Sequence, residues 1–150
     1  MILSLVRDLA VYEKEPDAVR ATEEDLVREG FGPDPAFHVF LAEAEGESGP
    51  ETVGFALYFY TFSTWVGRRC LHLEDFYVKP ERRKGGVGRA LFQALAREAL
   101  DRGCGRLVWQ VMDWNELAIG FYERIGATVM KEWIAGRLEG EALDRAARGD

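Results

Sequence analysis

LEDFYVKPERRKGGVGRALF, residues 73–92, runs from an apolar stretch through a polar turn with three glycines into a run with helical apolar spacing. An extended strand that turns at Arg82-Arg83-Lys84-Gly85-Gly86-Val87-Gly88-Arg89 and enters a helix directs the turn's backbone N–H groups and the first helical turn toward one point. Phosphate is the guest such a turn suits. A tight turn that needs glycines only for positive φ is the plainer alternative. Two nucleotide motifs are excluded. A Walker loop needs Lys-Ser/Thr after its last glycine, where Arg89-Ala90 stands, and a dinucleotide fingerprint needs a third small residue where Leu91 stands. Upstream, Leu71, Leu73, Phe76 and Val78 break strict alternation around Glu74-Asp75, so a bulge is expected at the carboxylate pair.

Outward from this stretch, Leu91, Phe92, Leu95 and Ala99 predict a helix over 89–102 ended by Gly103. A strand over 106–112 and a helix over 115–125 stopped by Gly126 follow. Residues 127–130 and 133–138 read as short strands, and the charged tail from Glu139 as an amphipathic helix. Toward the N-terminus, Cys70–Val78 is a strand reached through a loop at Thr64–Gly67. Phe37–Ala42 and Thr52–Thr61 read as a hairpin around a turn at Glu45–Pro50. Thr22 before Glu23, Glu24 and Asp25 predicts a capped helix stopped by Gly30. Ile2, Leu5, Val6 and Leu9 predict a helix ending near Tyr12-Glu13.

The chain has 150 residues, 47% hydrophobic and 30% charged, which is a globular composition large enough for one domain over residues 1–150. Its net charge of −7 disfavours nucleic acid and anionic membranes and favours small cations. Cys70 and Cys104 have neither metal-ligand spacing nor histidine neighbours, so no metal site is expected, and free thiols point to the cytoplasm. No stretch approaches a membrane span or a secretory leader.

Arg83, Gly86 and Gly88 in the pattern Arg-x-x-Gly-x-Gly, between a strand and a helix, resemble the pyrophosphate motif of the GNAT superfamily of acetyltransferases. Leu73–Val78, Trp114-Asn115-Glu116, Phe121–Ala127, Leu9–Glu13 and Glu29–Gly32 extend the likeness over nearly the whole chain, toward the spermidine/spermine (diamine) branch. The resemblance implies a mixed α/β (α+β) fold with a mostly antiparallel sheet, flanked by helices and splayed at the cofactor strand. The family has a strand before its first helix, and that strand has no counterpart in this sequence. A homodimer is also implied.

The resemblance further implies acetyl-CoA as cofactor. Phe76, Tyr77 and Val78 would hold its arm by backbone pairing. Arg83, Lys84, Gly85, Gly86, Val87, Gly88 and Arg89 would receive its pyrophosphate, and Asn115, Glu116, Leu117 and Ala118 would add contacts. Asn115 reads equally as a helix cap. An alkylamine must lose a proton before it attacks, so a carboxylate is needed. Glu74 is the candidate base, with Asp75 and Glu13 for the remaining positive charge and Tyr12 beside them. Tyr122 matches the tyrosine the family uses toward the departing thiolate. Trp65, Val108, Trp109 and Gln110 match substrate contacts. The expected acceptor is a diamine or polyamine. A lysine-like amino acid such as thialysine is the variant, with Arg68 or Arg69 for its carboxylate. A sensor that binds acetyl-CoA without catalysis and a protein acetyltransferase are the competing classes.

Overall fold

The computed structural model describes residues 1–149, in which two compact units form, residues 1–110 and from residue 111 onward. The first opens with helix α1 (Ile2–Tyr12) and the short α2 (Glu23–Gly30). The strands β1 (His38–Gly46), β2 (Gly49–Ser63) and β3 (Arg68–Val78), the helix α3 (Val87–Asp101) and the strand β4 (Arg106–Trp109) follow. The sheet order is β1-β2-β3-β4, antiparallel except for the parallel pair β3/β4.

Why β2 is apolar at consecutive positions follows from its central place. Residues 53–58 are all buried because helices cover both faces of the sheet. Ala56, Tyr58, Leu71, Leu73 and Val78 meet Leu91, Leu95 and Ala99 of α3 on one face. Phe55, Leu57 and Tyr77 meet Leu5 and Leu9 of α1 on the other. The α1 and α3 stripes are therefore the helical spacings read in the sequence, each spent on its own side of the sheet.

Thr22 caps α2 as expected. Its hydroxyl accepts from the Asp25 N–H, and the Asp25 carboxylate accepts from the Thr22 N–H. Gly30 acts differently from its expected role as a stop. It is the last helical residue, and a Cβ there would collide with the ring of Phe37, so crowding rather than chain reversal requires glycine.

In the second unit, Asn115 caps α4 (Glu116–Arg124), and α5 (Glu141–Arg148) is the charged terminal helix. The strands expected at 127–130 and 133–138 do not form, and β4 stops at Trp109 instead of reaching residue 112. The reason lies in partners. A strand is stable only against a neighbour, and no ladder reaches these residues among those described. Adjacent Trp133 and Ile134 are both exposed, at 65% and 94%, so the segment buries no alternating face.

Candidate active site

The expected bulge is present. On β2 and β3, Leu57 pairs with Asp75 and Tyr58 with Leu73, which leaves Glu74 as the extra residue. Leu73 faces α3, and Asp75 shares the α1 side with its partner Leu57. Plain alternation would send one of two consecutive carboxylates to each face; the bulge sets Glu74 and Asp75 together toward the face that α1 covers. Glu13, at the C-terminal end of α1, adds a third. Burial, then the charges of Glu74 and Glu13, push the Asp75 carboxyl up to about 6. Burial also raises the carboxyl of Glu13.

The second structural feature is an open edge. The parallel ladder between β3 and β4 ends at Leu73 and Trp109, while β3 runs on to Val78. The Lys79 N–H bonds to the Val53 carbonyl at 2.9 Å on the β2 side. Alternation along the strand then turns the Tyr77 backbone toward β2 and those of Phe76 and Val78 toward the open edge. The Phe76 and Val78 backbones thus face that edge, where the Val78 carbonyl accepts from the Arg83 Nε, whereas Tyr77 gives its ring to the α1 core.

The third feature is the glycine turn. Lys84 and Gly86 have φ of 66° and 87°, and Gly86 is the N-cap of α3 with no side-chain cap bond. Successive amides in this geometry form a concavity for an anion, and the first N–H groups of an uncapped helix have no partner within the helix. Only Gly86 is required by its φ. A Cβ at Gly85 would come no nearer than 3.8 Å to Arg82, and one at Gly88 no nearer than 3.8 Å to Phe76 and Val78. The fold therefore has room for side chains at Gly85 and Gly88, and their bareness suits close approach by a phosphate-bearing cofactor. Exposed Lys84 and Arg89 flank the turn.

Arg83 is committed to the protein itself. Its Nε donates to the Val78 carbonyl at 2.9 Å, and its guanidinium lies 4.6 Å from the ring centre of Tyr12 and 5.7 Å from that of Tyr77. It pins the turn to the end of β3 and to α1. Arg82 and Lys79 pair with Glu51 at 3.2 and 2.6 Å.

The expected substrate contacts are dispersed. Val108 pairs with His72 on the carboxylate face, but Trp109 points to the other side, 5.4 Å from Phe92, which in turn lies 6.2 Å from Phe76. Gln110 is exposed at the end of β4. Trp65, 82% exposed, sits in the turn between β2 and β3, nine residues before Glu74, with roughly 20 Å of strand between the turn and the bulge. Arg69 lies over Tyr60 on the α3 side, 5.1 Å from its ring centre, and Arg68 stands at the hairpin end. Neither arginine joins the carboxylates.

In the second unit, the Asn115 side chain accepts from the Ala118 N–H at 3.2 Å, so it is the cap the sequence allowed, and it is buried. Glu116 and Leu117 are exposed, and Ala118 is half-buried, in the first turn of α4. Tyr122 is 5% exposed on α4, its ring 5.5 Å from Phe121.

One neighbour of the carboxylates escaped the sequence reading. The His72 Nε2 lies 3.4 Å from the Glu74 Oε2. Its signal was the i, i+2 spacing on a strand, which places residues 72 and 74 on one side.

Known proteins resemble the chain at every level. The Acetyltransferase (GNAT) family profile matches residues 3–127. Thialysine N-epsilon-acetyltransferase of Bos taurus is 45% identical, with 97% of this chain and 89% of that protein covered. Spermidine/spermine N(1)-acetyltransferase-like protein 1 of Homo sapiens is 38% identical over 95% of this chain and 21% of its own length. The structure of an integron cassette protein from the mobile metagenome of V. cholerae superimposes with a TM-score of 0.77 at 28% identity, covering 98% and 90% of the two chains. With the open β3 edge and the bare glycine turn, these likenesses make the chain a member of the GNAT family and an N-acetyltransferase.

Proposed function

We propose that the protein moves an acetyl group from acetyl-CoA to a primary amine of a small substrate carrying a second positive charge, a diamine or polyamine. When bound, acetyl-CoA supplies the thioester for the amine to attack. Phe76 presents its backbone to the arm along the edge of β3, and Val78 its N–H alone, since Arg83 holds the Val78 carbonyl. Lys84–Arg89 receive the pyrophosphate, with Arg83 holding the turn in place. Family likeness adds Asn115, Glu116, Leu117 and Ala118 to the residues that contact the cofactor. The Val78 N–H is the donor for charge that develops on the carbonyl oxygen. Glu74, half exposed, takes the amine's proton, directly or through water. Asp75, whose carboxyl burial pushes up to about 6, is tuned for the same task, and with Glu13 it offsets the substrate's other charge. By the same likeness, Tyr122 is the donor to the departing sulfur.

The convergence of three carboxylates on one face is the observation that carries this reading. Thialysine, which names the 45% relative, has the same two amines and adds a carboxylate. Arg68 and Arg69 stand away from the acidic cluster, which favours acceptors without a carboxylate. Family likeness also supports a homodimer in the cytoplasm, which solution scattering and fractionation test. The deciding assay is thiol release from acetyl-CoA with putrescine, spermidine, spermine, lysine and thialysine. Turnover with the polyamines is expected. Turnover confined to the amino acids would replace the acceptor, and cofactor binding without turnover on any amine would leave a sensor.

A further inference from the structure

His72 stands on β3 two residues before Glu74, on the side of the sheet that α1 covers. Its ring stacks on Phe59 of β2, 4.8 Å between centres and 25° between planes, and its strand partner in β4 is Val108. Leu57, next along the same face of β2, is also apolar. The charged groups on this face include Glu74 at 3.4 Å, Asp75 on the same strand and Glu13 from α1, with Arg106 two residues before Val108 on β4 and Arg83 farther along, against the rings of Tyr12 and Tyr77. The imidazole is thus walled by apolar side chains from both neighbouring strands, and its ionic contact is the Glu74 carboxylate.

An unperturbed imidazole changes charge between about pH 5 and 8, alone among side chains. While neutral, His72 flanks Glu74 and leaves the carboxylates' charge to a cationic guest. Once protonated, it becomes a cation that the same carboxylates neutralise. We propose that His72 is a positioning residue that gates the acceptor pocket by charge: an imidazolium at His72 and the ammonium of the substrate compete for Glu74, Asp75 and Glu13. This rests on the acceptor site proposed above and goes beyond it, because it makes amine affinity, not only amine deprotonation, respond to pH.

Competition of this kind is reciprocal. If protonation of His72 weakens amine binding tenfold, saturating amine must lower the His72 titration midpoint by about one pH unit. The ring protons of the chain's two histidines, His38 and His72, can be followed by NMR with CoA present, with and without saturating spermidine. A downward shift of about one unit at His72, with His38 unmoved, is expected. In parallel, the KM for spermidine between about pH 8 and 6 is expected to rise severalfold more in the wild type than in His72→Gln. CoA affinity should match in the two proteins. A His72 midpoint unmoved by bound spermidine, or equal rises in KM, would overturn the gate while leaving the transferase intact. Failure of spermidine both to bind and to be acetylated would overturn the polyamine acceptor and the gate together.

Discussion

Asp75 carries a conflict between stability and chemistry. Its carboxyl is raised from an ordinary 3.8 to about 6, so the folded protein disfavours the charged form that a proton acceptor needs at neutral pH. A raised carboxylate stabilises the fold relative to its charged state only at low pH, and that advantage is lost as the pH rises through about 6. Asp75→Asn is therefore expected to stabilise the protein at pH 8 by up to about 3 kcal/mol, with the difference fading toward pH 4. Denaturant melts at both pH values check this. The same variant is expected to lose acetyl transfer. Tyr122 poses a simpler question. Tyr122→Phe keeps the buried ring and removes the hydroxyl, so turnover is expected to fall about 10²-fold with acetyl-CoA affinity unchanged. Turnover at the wild-type rate would take Tyr122 out of the mechanism.

At the scale of elements, the turn before α3 separates two reasons for glycine. Gly86 has a φ of 87°, and a side chain there strains the backbone by about 1–2 kcal/mol although nothing crowds it. Gly88 has an ordinary backbone and room for a methyl. Gly88→Ala is thus expected to melt like the wild type yet lose the thermal stabilisation by acetyl-CoA, while Gly86→Ala loses both. Equal stabilisation of Gly88→Ala would move the cofactor off the helix start. The helices and the first three strands were legible because their apolar periods are long and their caps are local: Thr22 with Asp25, and Gly103 after α3. Even the bulge could be read, since two carboxylates interrupting an apolar strand leave few other arrangements. Where the reading failed, the missing term was non-local. Residues 127–138 alternate well enough for a strand, but alternation says nothing about a pairing partner. His72 went unnoticed because its meaning depends on which face the bulge gives to Glu74.

Across the whole molecule, the net charge of −7 and the three gathered carboxylates act in the same direction on a cationic substrate. The kcat/KM for a polyamine is expected to fall severalfold as ionic strength rises from about 0.01 to 0.15 M, where the screening length shrinks from about 30 to 8 Å. A flat salt profile would show that the field beyond the pocket does not steer the amine. The sheet itself is buried by α1 on one side and α3 on the other, so a side chain that changes face breaks a core. Yet one position is exempt. Upstream of the bulge the odd-numbered residues Leu71 and Leu73 face α3, and downstream the even-numbered Phe76 and Val78 do. Glu74 is the residue that switches the parity. A chain shortened by Glu74 alone returns β3 to simple alternation with every other side chain on its present face, so the deletion is expected to fold and bind CoA but to lose amine acetylation. The acidity of the acceptor site is in this sense a matter of chain length: one inserted residue, and not an exchanged one, doubles the carboxylates that the strand presents to its substrate.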